Sequence, residues 1–184
     1  MTAILRSRTT RFTLFLLALL LLLASMPPSV VRVLAQDAAG TVSVELNSAN
    51  STPRNVEDTT QKAIQREYAA AWGNMETALE QNHANLLDQN FVGAARKELG
   101  RQIQQQQKSG LATKYVDRGH HVEMSFYSPE GTALELHDTA QFEQQTLDGG
   151  KVIHSEQVRQ QYIVIFTLVE DRWKVRTLQA IPAV

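Results

Sequence analysis

The residues of this 184-residue chain best suited to chemistry are an aspartate and a histidine on two apolar strand patterns. From Leu134 onward the side chains alternate. Leu134, Leu136, Ala140 and Phe142 take one face, and Glu135, His137, Gln141 and Glu143 take the other. Asp138 has the parity of the apolar face. A carboxylate held among apolar groups has its pKa raised by desolvation and can act as a general base. His120 shares its parity with Val122 and Met124, so it can face the same interior and complete an acid–base pair. Two other arrangements fit the same residues. A bulge near Asp138 turns it outward, or its carboxylate accepts bonds from an arginine or from backbone donors at the rim of the fold.

Other chemistries find less support. His120 and His121 are adjacent on a strand and point to opposite faces, so they do not chelate one ion together. His137 has polar-face parity, and His83 and His154 fall in loop or edge regions, so no metal site is expected. Ser125 lies in no Gly-x-Ser-x-Gly turn and has no evident histidine and carboxylate partners. Gly149-Gly150 lacks the lysine, hydroxyl and helix of a phosphate loop, and no cofactor is expected. The chain has no cysteine, which excludes disulfides, thiol nucleophiles and cysteine metal sites.

The N-terminus speaks to location. Arg6, Arg8 and Arg11 precede Phe12–Met26, a leucine-rich run without charge; Pro27-Pro28 ends it, and Val33-Leu34-Ala35 offers a peptidase site. This order reads as a signal peptide over 1–35 and a protein exported to the periplasm or extracellular space. The alternative is an uncleaved anchor over residues 12–26, although a spanning helix needs roughly 20 apolar residues. Residues 1–35 contain four of the chain's 18 basic residues and none of its 19 acidic ones, so the exported part is mildly anionic. With no basic stripe, nucleic acid is not an expected partner, and membrane contact is expected only through an uncleaved N-terminal segment.

The elements that position Asp138 and His120 follow. Residues 36–56 are small and polar and read as a flexible tether, although Val42 to Leu46 alternates over five residues, as a short edge strand does. A cone-shaped domain is expected over 57–184. Ile64, Tyr68, Trp72, Met75 and Leu79 form the apolar stripe of a helix starting near Glu57-Asp58-Thr59. A short second helix is expected over His83–Gln89. A third spaces Phe91, Ala95, Leu99 and Ile103 by four and ends at Gly110. The Gln104–Gln107 run reads as its solvated face, with a polar partner contact as the alternative. Strands follow, punctuated by turns at Ser128–Gly131, Asp148–Gly150 and Glu170-Asp171. Helices followed by a meander make an α+β fold: three N-terminal helices on a curved antiparallel sheet.

Several stretches carry a resemblance. Tyr68-Ala69-Ala70-Ala71-Trp72 on the first helix, Tyr115-Val116 after the third, Tyr162-Ile163-Val164-Ile165-Phe166, and Asp171-Arg172-Trp173-Lys174-Val175 at the end are similar to the nuclear-transport-factor-2-like, or cystatin-like cone, superfamily. The nearest likeness is to the intermembrane-space domain of chloroplast division proteins and related bacterial extracytoplasmic domains. It covers about residues 57–181. The resemblance implies a curved sheet wrapped around the first helix, a fold that hosts isomerases, cyclases and dehydratases as well as non-catalytic binding or scaffold domains, so fold alone does not set the function. Ketosteroid isomerase, which shares that fold, uses an aspartate base.

The expected function is an exported, non-catalytic binding or scaffold domain of the cell envelope. The alternatives are an isomerase- or dehydratase-like enzyme with Asp138 and His120 at its centre, or a carrier of a small apolar ligand. Tyr68, Trp72, Met124, Phe126, Leu136, Phe142 and Phe166 are the expected lining of the cone. If they pack it shut, the first function is favoured. A protein partner or a second protomer is expected at the outer sheet face, with Glu156, Arg159 and Gln161 near the contact.

Overall fold

Glycine and asparagine set the limits of the helices. In this computed structural model, which describes residues 42–182, helix α1 spans Asp58–Gln81 and stops where Asn82 adopts the left-handed conformation (φ 56°). Its buried face is Ile64, Tyr68, Ala71, Trp72, Met75, Ala78 and Leu79, the expected stripe. Helix α2 spans Gly93–Ser109 and ends at Gly110 (φ 72°), as the sequence predicts. Between them Ala84–Gln89 forms one stretch of 3-10 helix, so the described residues hold two α-helices where three helices were expected. Short 3-10 pieces are common as connectors between helices, and only Leu87 is fully buried there.

Strands β1 (Val44–Asn47), β2 (Thr52–Pro53), β3 (Leu111–Tyr127), β4 (Ala133–Asp148), β5 (Lys151–Val169) and β6 (Arg172–Ile181) form one six-stranded sheet. β3 to β6 are the expected antiparallel meander. β1 and β2 run parallel to β3, so the sheet is mixed. Parallel neighbours need a long crossover, which α1 and α2 supply. The 42–56 part of the expected tether is therefore structural. β1 is held by its pairing with β3 and by two glutamines of α1: Gln61 Nε2 donates to the Leu46 carbonyl at 3.0 Å and Gln65 Nε2 to that of Val44. A four-residue strand held by its neighbours leaves little trace in its own composition. The signal peptide or anchor over 1–35, and residues 36–41, lie outside the described residues. No helix among the described residues is long and apolar enough to cross a membrane.

Bulges bend the sheet and reset which residues face α1. Register shifts fall at Asp117/Gly119 and Met124/Phe126 on β3, at Thr146/Leu147 between β4 and β5, and at Ile165/Phe166 on β5. Gln106, expected on a solvated face, is only 8% exposed. Its amide donates to the Leu79 carbonyl at 2.9 Å and its oxygen accepts from Thr113 Oγ1 at 2.7 Å, tying α2 to the end of α1 and the start of β3.

Two-residue turns close the β4–β5 and β5–β6 hairpins, with left-handed backbone at both central positions. Gly149-Gly150 tolerates this, whereas Glu170 (φ 51°) and Asp171 (φ 62°) are held there against side-chain sterics. Replacing Glu170-Asp171 with Asn-Gly should raise stability by about 1 kcal/mol. Urea denaturation would show the midpoint shift with an unchanged slope.

Candidate functional site

Parity on two adjacent strands builds the site. β3 and β4 pair with Val122 opposite Asp138 and His120 opposite Ala140, so His120 and Asp138 are diagonal neighbours on the face turned to α1. His120 Nδ1 lies 2.7 Å from Asp138 Oδ2. From α1, the Tyr68 hydroxyl donates to the same oxygen at 2.7 Å. Each of His120, Asp138 and Tyr68 is 1% exposed. No bulge turns Asp138 outward and its bonds come from side chains of the core.

The bulge at Arg118 adds a residue that the sequence reading missed. Asp117 and His120 are three apart, yet Asp117 Oδ1 lies 3.2 Å from His120 Nε2, an ion-pair contact off the line of a good hydrogen bond. With Asp117 opposite Phe142 and Gly119 opposite Gln141, Arg118 is the extra residue that brings Asp117 round. Asp117 also accepts from the backbone N–H groups of Ser43 (2.9 Å) and Gly119 (3.1 Å), which anchors the entry to β1. The signal was present: Gly119 is an isolated glycine inside a strand pattern, the mark of a bulge, and its φ is +133°.

Burial opposes a charge on His120, but the Asp117 and Asp138 carboxylates outweigh it and raise its pKa from 6.5 to about 9. At neutral pH His120 is an imidazolium set between two carboxylates. Burial, and then the negative charge of Asp138, push the Tyr68 hydroxyl well above its usual range, so it stays a neutral donor. Glu76, two turns along α1 from Tyr68, was also missed. Burial and then the charge of Asp117 raise its pKa to about 7.

Aromatic rings fill the remaining space. The Trp72 ring centroid is 4.4 Å from that of His120, 5.5 Å from Tyr162 and 6.1 Å from Phe142; the Tyr68 ring is 5.7 Å from Phe166. An imidazolium against an indole adds a cation–π attraction. Of the expected lining, Tyr68, Trp72, Met124, Leu136, Phe142 and Phe166 are all buried in this core. Phe126 is not: it is 41% exposed, because the Met124/Phe126 bulge flips the parity and Tyr127 takes the inward place. The gap lined by Tyr68, Trp72, Met75, Phe91 and Leu178 admits no water-sized sphere.

An open groove lies on the other side of the sheet. A groove of about 530 Å³ runs across the outward residues Glu45, Asn47, His121, Glu123, His137, Thr139 and Gln161. His121 pairs with Glu45 at 2.9 Å and His137 with Glu135 at 2.8 Å. Among the described residues no three histidine or acidic side chains converge as a metal site requires.

No protein-family model and no curated protein matches the chain. Solved structures do. The intermembrane space region of the chloroplast protein ARC6 superposes with a TM-score of 0.58 at 13% identity, over 71% of this chain and 100% of that one. A candidate dehydratase of the NTF2-like family from Streptomyces avermitilis gives 0.48 at 14% identity, over 70% of this chain and 99% of that one. A candidate scytalone dehydratase from Novosphingobium aromaticivorans gives 0.45 at 15%, over 67% and 85%. At such identities a likeness speaks for the fold alone. The chain shares the fold of that ARC6 region, the likeness its sequence suggested.

The buried charges make stability depend on pH with a definite sign. The folded pKa of His120 lies above its ordinary value, so its pairing stabilises fully below pH 6.5 and fades as pH rises through about 9. Asp138→Asn should lower stability at pH 6 by about 3 kcal/mol, since it leaves a buried cation with one partner fewer. It should also flatten the decline between pH 6.5 and 9, as read by urea denaturation across pH. Glu76 works in a lower window. Its raised pKa makes folding less favourable as pH climbs from 4.5 to about 7. Glu76→Gln should therefore be close to neutral at about pH 5 and stabilising by about 1 kcal/mol at about pH 8.

Proposed function

We propose that this chain is a non-catalytic binding domain, exported to work in the cell envelope, that engages a protein partner through the outer face of its sheet. One observation carries the reading: the space between α1 and the sheet is filled, and the open groove lies on the opposite face. A general base must reach the proton it takes. Asp138 instead gives one oxygen to both His120 and Tyr68 and is 1% exposed. The charged basic–leucine–cleavage order of residues 1–35 supports export. The groove's carboxylates, Glu45 and Glu123, favour a partner segment that offers basic side chains.

A second reading has one observation in its favour. Asp138 Oδ1 is buried and has no hydrogen-bond partner among the described residues. If α1 swung away, that oxygen would meet a small ligand beside a histidine, the arrangement of an isomerase- or dehydratase-like enzyme or of a ligand carrier.

The two readings part over the state of the core. For the binding domain, 8-anilinonaphthalene-1-sulfonate should not brighten, a panel of apolar metabolites should leave Tm unmoved, and acrylamide should quench Trp72 and Trp173 little. A metabolite that raises Tm by about 4 °C or more, a shift worth roughly 1 kcal/mol in a domain of this size, would overturn the binding reading, provided Trp72→Phe abolishes the shift.

A further inference from the structure

β5 is 19 residues long, yet β6 pairs only with its second half, from Gln161 onward. β4 pairs with β5 on its other side along the whole length. Among the described residues, the outer edge of β5 from Lys151 to Gln160 pairs with nothing. A free edge presents a row of backbone donors and acceptors to any extended chain, and proteins usually guard it. Here the guards stand at the ends. Lys151 and a bulge at Ile153 mark one, and at the other the Gln160 amide reaches the Ile181 carbonyl at 2.6 Å. Between them, His154 to Arg159 keeps an unbroken register with β4 and contains neither proline nor glycine. Val152 and Ile153 beside it are 45% and 57% exposed.

We propose that this edge pairs, antiparallel, with the same segment of a second copy of the chain, so that one sheet runs through two molecules. A two-fold axis normal to a sheet sets residues of equal parity opposite one another. Centred on Ser155, it places His154 against the second copy's Glu156 and Val152 against its Val158, each contact occurring twice. Centred on Gln157, it places Ser155 against Arg159 and Glu156 against Val158. The Gln157 centre opposes no like charges, and the Ser155 centre opposes them only at its ends, where Lys151 meets Arg159. Centres at Glu156 or Arg159 set like charges at the axis itself and are disfavoured on that ground. An unrelated extended peptide would be met by backbone bonds alone, whereas this segment complements itself. The pairing is independent of the outer groove, which stays open beside it. An edge of this length buries less than a standard interface, so the dimer should be concentration-dependent.

The chain has no cysteine, so single cysteines report the contact cleanly. Sedimentation of the purified chain from about 10 µM to about 1 mM should show a monomer–dimer equilibrium, as a small interface predicts. Under mild oxidation Ser155→Cys or Gln157→Cys should give a disulfide-linked dimer, whereas Thr139→Cys, in the outer groove, should not. Exchange of those amides in 152–160 that point away from β4 should slow as concentration rises. A monomer at every concentration would overturn the proposal. So would linkage through Thr139→Cys alone, which would mark a face-to-face dimer. Slow exchange at these amides in the dilute monomer would also overturn it, since another segment of the same chain would then cover the edge.

Discussion

A charged imidazole cannot sit in an apolar core without carboxylates beside it, and this requirement organises the domain. Removing an ion from water costs several kcal/mol even after relaxation, and the attraction of a partner repays it only when the geometry is good. His120 has Asp138 on one nitrogen and Asp117 near the other, while Tyr68 donates to the same Asp138 oxygen that His120 meets. These four groups come from α1, β3 and β4. They fix the rotation of α1 over the sheet, because a slip of one residue in β3 or β4 would send His120 or Asp138 to the outer face. The aromatic packing then follows, with Trp72 against His120 and Tyr162 and Phe142 close by.

The same arrangement closes the space between α1 and the sheet. A curved sheet over a helix leaves a space that can be lined or filled. Trp72, Phe142, Phe166 and the ion group fill it, and Asp138 is 1% exposed. Exposed polar groups lie on the other face of the sheet, where Glu45, His121, Glu123 and His137 line a groove.

What the sequence revealed and what it hid divide along one line. Positions governed by regular periods were legible. The stripe on α1, the stop at Gly110, the two-residue turns and the inward parity of His120 and Asp138 all follow from spacing of 3.6 or 2. Positions governed by an irregularity were not. Asp117 joins His120 only because Arg118 is an extra residue, and Phe126 leaves the core only because a second bulge flips its strand. β1 was obscured because its stability comes from β3 and from the amides of Gln61 and Gln65 rather than from its own residues. Gln106 looked like one of four solvated glutamines until the end of α1 gave its amide a buried partner. The early part of β5 carries no apolar run, since β4 alone supports it.

The most direct test of this account is a nitrogen-15 NMR titration of the His120 ring in the native protein. Both ring nitrogens should remain protonated through neutrality, with the transition at about pH 9. A transition near 6.5, the value of a histidine in water, would contradict it, because solvent would then have to reach the ring and the core around Asp138 could not be closed.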